Sequence, residues 1–242
     1  MWHFRPDCAL IGLTAYRRAR TARPGEGLHR HAGKRIGNLA HFAIIVVGAS
    51  LGGVEALQKL VSGLPRDIQA ALLVVQHIGR HASRLPELLA RCGRLPAKHA
   101  GQGETLEGGI IYVAPPDHHL VLVDRTTWIT RGPRENWARP AIDPLFRSAA
   151  DIFGPCVIGI VLSGALNDGT AGLHAVRARG GIAIVQDPAD AFCPDMPRSA
   201  LRHAGADYCV PLSEIPRLLP ELATSLIDKM ERDQDARWRA TR

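Results

Sequence analysis

Ala43-Ile44-Ile45-Val46-Val47-Gly48-Ala49-Ser50-Leu51-Gly52-Gly53 is the stretch on which the fold turns. Ala43 to Val47 have the length and Ile/Val content of a strand buried on both faces. The segment after it, VEALQKLVSGL, sets Val54, Leu57, Leu60, Val61 and Leu64 on one side at helical spacing. A strand therefore bends sharply into a helix, with a serine at the bend. Gly48 to Gly52 spell G-x-S-x-G, the nucleophile-elbow pattern. Small residues on both sides allow the tight bend and hold the serine oxygen out above the sheet edge. The helix start that follows offers unpaired N–H groups to a developing negative charge. The same glycine-rich turn also opens dinucleotide and phosphate sites, or serves as plain structure. On the turn alone these readings stay open.

The chain has 242 residues, 46% hydrophobic and 22% charged, an ordinary globular balance. No apolar run approaches the roughly 20 residues of a membrane helix. The cysteines, Cys8, Cys92, Cys156, Cys193 and Cys209, form no C-x-x-C pair, which argues for a reducing compartment and against a zinc site. The net charge of +7 suggests nucleic acid until it is located. Residues 1–40 carry eight Lys/Arg against Asp7 and Glu26, leaving the globular part near neutral. A nucleic-acid-binding face is therefore not expected. Residues 1–40 read first as a basic, disordered arm, with a weak nucleic-acid or membrane contact, or translated sequence upstream of the domain, as the other readings. Their apolar piece precedes the arginines, so it is no secretory signal.

Apolar runs at 70–75, 110–113, 157–162 and 182–185 predict further strands, with a short last one at 207–210. Helices are predicted from Ser83 to Cys92, from Asp143 (as N-cap) to Ile152, after Gly169 to Arg179, from Met196, and from Ser213 to Met230. His119–Val123 and Thr127–Thr130 flank a turn at Asp124-Arg125-Thr126 and read as a hairpin. Residues 131–142 are polar, contain proline and show no period, so they form a long loop. The tail from Glu231, rich in both signs of charge, is expected to fray. Strands alternating with helices imply one α/β domain over about 41–230. It is a three-layer α/β/α, doubly wound, mostly parallel sheet with a small antiparallel hairpin.

In such sheets ligands bind beyond the carboxyl ends of the strands. Ser50, His77 and Asp168 each follow a predicted strand there. Serine needs a base to take its proton, histidine suits that task, and a carboxylate fixes the imidazole tautomer. The order Ser…His…Asp differs from that of the α/β-hydrolases, so this is not that fold. His118 and His119 are rival bases, and Asp143 and Asp187 rival carboxylates. Asp168 also suits the N-cap of the next helix. A dinucleotide site wants an acid at the end of the second strand, and that strand ends Val75-Gln76-His77. The phosphate-loop lysine is missing too.

Seven motifs then line up in order: GASLGG at 48–53, VVQH at 74–77, YVAPPDHH at 112–119, IDPLFRSAA at 142–150, VLSGALNDGTAGL at 161–173, QDP at 186–188 and MPRSAL at 196–201. Together they resemble the catalytic domain of the CheB-type chemotaxis-receptor methylesterases, over roughly residues 43–222. The resemblance implies a cytoplasmic enzyme that hydrolyses glutamate γ-methyl esters on the cytoplasmic helices of methylated receptors, and that can deamidate glutamine. It puts the nucleophile on Ser50, the histidine on His77 and the aspartate on Asp168, with no metal or cofactor. Oxyanion donors are expected from N–H groups near Leu51 and Ala165. Leu51 stands where the family pattern has Thr, and Ser163-Gly164-Ala165-Leu166 where it has TGMG. Typical members carry an N-terminal receiver domain. About 40 residues before the first strand are too few for one, so control by a receiver is not expected within this chain. A nucleotide-binding module and a non-catalytic receptor-docking domain are the alternatives on the same fold.

Overall fold

Every residue of β1 (Ala43–Ala49) is buried, as an unbroken apolar run requires. The structure is a computed structural model and describes residues 42–79 and 81–240. The expected arm at 1–40 lies outside the described residues. β1 is the middle strand of a seven-stranded sheet. On one side stand β2 (Ala70–Gln76), β5 (Ile111–Val113) and β3 (Ala97–His99). On the other stand β8 (Val157–Val161), β9 (Ile182–Gln186) and β10 (Tyr208–Val210). All pairings in this sheet are parallel, with Ala49 opposite Gln76 at the end of the β1–β2 ladder.

Alternate residues of a strand point to opposite faces, and β1 feeds two cores in this way. Ile45 and Val47 pack with Leu57 and Leu60 of α1 (Gly53–Ser62), Leu89 of α2 (Leu85–Cys92) and Leu219 of α6 (Ile215–Ala240). Ile44 and Val46 pack with Phe146 of α3 (Ile142–Phe153), Val176 of α4 (Thr170–Ala178) and Met196 of α5 (Asp195–His203). The three layers and the parallel sheet are as the sequence predicts. So is a small antiparallel sheet, which β4 (Glu104–Thr105) enlarges beside the hairpin of β6 (His119–Val123) and β7 (Thr126–Thr130).

Several details differ. β3 and β4 are too short and polar to show a period. The β6–β7 turn is the two residues Asp124-Arg125, both with positive φ, because Val123 pairs with Thr126. α3 starts at Ile142 behind Ala141, so Asp143 lies inside the first turn and does not cap its own helix. At α2 the capping position is Arg84, although the Ser83 hydroxyl still accepts the Leu85 N–H at 3.2 Å. α6 runs past Met230 to Ala240. Opposite charges four apart there, Asp228 with Arg232 and Lys229 with Asp233, suit a solvated helix. Among the described residues no helix is long and apolar enough to cross a membrane.

Candidate active site

Ser50 leaves β1 at the point where the chain's crossovers change direction, with β2 on one side and β8 on the other. Its backbone is held from both. The Ser50 N–H donates to the Ser163 carbonyl at 2.9 Å, and its carbonyl accepts the Gly53 N–H at 2.8 Å. Gly52, at φ 74, makes the bend. The Gln76 amide then donates from Nε2 to the carbonyls of Ser50, at 2.7 Å, and His77, at 3.1 Å. One buried side chain thus ties the serine loop to the histidine loop. Ser163, after β8, donates its hydroxyl to the Leu51 carbonyl at 2.7 Å and accepts the Cys193 N–H at 2.8 Å. Its own N–H donates to Gln186 Oε1 at 2.9 Å.

The three predicted side chains meet. His77 Nδ1 lies 3.0 Å from Ser50 Oγ, and His77 Nε2 lies 2.7 Å from Asp168 Oδ2. An ionised carboxylate accepts only, so the neutral imidazole carries its proton on Nε2 and turns the Nδ1 lone pair to the serine. Asp168 is buried, with 2% of its side chain exposed. Burial alone would raise its pKa. Hydrogen bonds from His77 and from the Ile142 N–H outweigh that and hold it below the ordinary carboxylate value. Further donors are the N–H groups of Asp143 at 3.1 Å and Gly169 at 2.9 Å, and the Asn136 amide at 2.7 Å.

The rivals are occupied elsewhere. His119 donates from Nε2 to the Pro133 carbonyl at 2.9 Å and accepts the Ala141 N–H on Nδ1 at 3.2 Å. Burial pushes its pKa down, which keeps it neutral. His118 Nδ1 bonds the Pro116 carbonyl at 2.8 Å. Asp187 accepts the Ala189 N–H at 2.8 Å, a local turn. Asp143 bonds the Gly172 N–H at 2.6 Å and Asn136 at 2.8 Å. Burial raises its pKa, and the neighbouring Asp168 charge adds to the rise. Asp168 does not cap its own helix either, since Gly169 holds that position.

Gly164 allows β8's loop to touch the serine. A Cβ there would lie 2.1 Å from Met196 Sδ and 2.7 Å from Ser50 Cβ. Among the described residues neither the Leu51 nor the Ala165 N–H has a hydrogen-bond partner, so both are free to donate. A cleft of about 470 Å³ lies between Leu51, Gly52, Ser163 and Phe192, and none of Ser50, His77 and Asp168 lines it. Among the described residues no group of three His, Cys, Asp or Glu could hold a metal ion.

A family profile described as CheB methylesterase matches residues 45–219. The chain belongs to the CheB methylesterase family. A Leptospira interrogans protein that bears the name putative protein-glutamate methylesterase/protein-glutamine glutaminase is 36% identical over 184 residues, which are 75% of this chain and 95% of that one. A protein-glutamate methylesterase/protein-glutamine glutaminase from Anaeromyxobacter dehalogenans is 38% identical over 76% of this chain and 54% of its own length. The CheB methylesterase catalytic domain of Thermotoga maritima superposes with a TM-score of 0.71 at 32% identity, over 74% of this chain and 98% of that one.

Within this CheB-family fold, Asn136, Gln76 and Ser163 have contacts that single-sequence reading did not assign. Gln76, Ser163 and Gln186 stand inside quoted motifs, so a signal existed. Asn136 sits in the aperiodic loop and gave none.

Proposed function

We propose that this chain hydrolyses glutamate γ-methyl esters on the cytoplasmic helices of methyl-accepting receptors, giving glutamate and methanol. Ser50 is the nucleophile, His77 the general base and then acid, and Asp168 the group that orients His77. The observation that carries this reading is the continuous line Ser50 Oγ–His77 Nδ1 and His77 Nε2–Asp168 Oδ2, at 3.0 and 2.7 Å, in a chain of this family.

As Ser50 attacks the ester carbonyl, its proton passes to His77 Nδ1. The imidazolium so formed faces Asp168, whose low pKa keeps it anionic. His77 then protonates the departing methoxide. Water, deprotonated by the same nitrogen, releases glutamate from the acyl-enzyme. The N–H groups of Leu51 and Ala165 take the developing oxyanion, and one such donor is worth roughly 3 kcal/mol. Replacing the threonine of the family pattern by Leu51 leaves its backbone donor in place. A glutamine substrate gives the same acyl-enzyme with ammonia as leaving group, in keeping with the double name of the relatives. The chemistry asks for no cofactor. The catalytic domain spans about 41–230 and works in the cytoplasm, where such receptor helices lie. The family match supports this reading over a nucleotide-binding module.

Methanol release from membranes bearing methylated receptor tests it. Wild-type protein should release methanol and Ser50→Ala protein none. Full activity in the Ser50→Ala protein would refute the mechanism.

A further inference from the structure

Trp137 and Leu166 are bulky residues held in the left-handed region, at φ 64 and φ 66. That conformation costs a large L side chain energy and is normally left to glycine or asparagine. Both are also exposed, Trp137 to 87% and Leu166 to 63%. Neither strain nor exposure is repaid by packing within the chain.

Their positions are linked. Glu135 and Ala138 exchange both backbone hydrogen bonds, at 3.2 and 2.9 Å, around Asn136-Trp137, and both of those residues have positive φ. This is a primed two-residue turn, in which glycine is the usual third residue. Trp137 occupies that place. Asn136 beside it donates to Asp168 Oδ1 at 2.7 Å, and Leu166 stands two residues before Asp168. The Asn136–Asp168 bond therefore ties the two loops together at the site.

The tryptophan loop is also tied by several ion pairs and hydrogen bonds. Arg139 and Arg131 bind Asp117 from 2.8 and 2.7 Å and hold its pKa down at about 2. Arg147 binds Glu135 at 2.6 Å, and His119 clasps Pro133 and Ala141. Arg134 donates to the Trp137 carbonyl at 3.3 Å. A pinned backbone presenting a bare aromatic ring matches what makes an interface anchor effective, because little entropy remains to be lost on binding.

We infer that Trp137 and Leu166 are specificity-determining residues that grip the polypeptide flanking the ester, against apolar side chains of the substrate helix. Backbone strain is retained at both places for that contact. The inference rests on the esterase reading above and extends it to substrate choice.

The test compares Trp137→Gly and Leu166→Gly with wild type on two probes. One is a purified methylated receptor cytoplasmic fragment. The other is N-acetylglutamate γ-methyl ester, which has no flanking chain. Glycine relieves the strain, so neither variant should melt below wild type. Each should raise KM for the fragment by about tenfold, the scale of a lost anchor, with kcat little changed. The small ester should be hydrolysed within about twofold of wild type, and Trp137→Phe should largely restore KM on the fragment. Wild-type KM on the fragment in both glycine variants would overturn the inference. If wild type hydrolyses neither probe, the esterase reading falls. Fragment binding to the Ser50→Ala protein, with and without Trp137→Gly, then decides. Equal affinity overturns the inference, and about tenfold weaker binding supports it.

Discussion

Asp143 and Asp168 cap each other's helices. Asp168, just ahead of α4, accepts the N–H groups of Ile142 and Asp143 at the start of α3, at 2.7 and 3.1 Å. Asp143, in the first turn of α3, accepts the Gly172 N–H at the start of α4, at 2.6 Å. The Asn136 amide bridges the two carboxylates from 2.8 and 2.7 Å. Two helix N-termini facing one another would each leave donors unpaired, and the exchanged aspartates satisfy both. The carboxylate that faces His77 is thereby fixed by the fold.

Asp168→Asn is consequently more than a change of charge. The amide can offer one oxygen where the carboxylate serves donors on two, so part of the α3 cap is lost. Stability should fall by about 1–3 kcal/mol in urea unfolding at pH 7. Turnover should fall by up to about 10⁴-fold, because the imidazole loses the partner that sets its tautomer. Methanol release measured well below the variant's melting point separates the effects. Wild-type stability would refute the shared-cap account, and wild-type turnover the role of Asp168.

Gln76 is expected to govern rate and leave substrate affinity alone. Its Nε2 holds the carbonyls of Ser50 and His77, and hence the distance between the hydroxyl and the imidazole. Gln76→Glu presents an oxygen to both carbonyls and should force the loops apart. A misplacement on the order of 1 Å costs about 10²-fold, so kcat should drop by about that factor with KM little changed. A raised KM at constant kcat would show that Gln76 acts elsewhere.

What could be read beforehand followed from periodicity and position. The buried run of β1, the helix after it and the strand ends at Gln76 and Val161 located Ser50, His77 and Asp168 on one rim, because parallel strands must end on the same side. The ordered motifs then named the family. The capping exchange was hidden because its partners are distant in sequence, and a sequence shows only that each aspartate precedes a helix. Asn136 and Trp137 were hidden for another reason. Their turn uses an unusual third residue, so the signal that marks such turns, Asn-Gly, is absent. β3 passed unseen because three residues, Ala97-Lys98-His99, cannot display an alternation.

Gly164 should tolerate no side chain. In Gly164→Ala the new methyl meets Met196 Sδ and Ser50 Cβ at 2.1 and 2.7 Å unless something shifts. The methionine end is flexible, whereas Ser50 is held by Ser163, Gly53 and Gln76. Overpacking should cost about 1–3 kcal/mol. Combining it with Met196→Ala should give a total destabilisation smaller than the sum of the two single changes, because only the methionine clash is removed. Activity should stay low in the double variant, since the contact with Ser50 persists. Recovery of methanol release there would place the damage at Met196 instead.

His119 gives a pH test that does not involve the reacting groups. In the folded protein its pKa lies below the ordinary 6.5, because burial disfavours the charged ring and Nδ1 is already engaged by the Ala141 N–H. Between that lowered value and 6.5 the unfolded chain binds a proton that the folded one refuses. Stability therefore increases with pH across this window and is progressively lost as pH falls from about 6.5. His119→Gln has no titrating group at this position. It should be less stable than wild type at pH 7.5, where the neutral imidazole fills both of its hydrogen bonds. The gap should narrow as pH is lowered toward 5, because only wild type continues to lose this contribution. Urea midpoints for the two proteins, taken at half-unit steps from pH 7.5 to 5, give the difference directly and cancel the other histidines. A gap that stays constant or widens on acidification would mean that the folded His119 accepts its proton readily. The clasp on the 131–141 loop would then be no barrier to protonation.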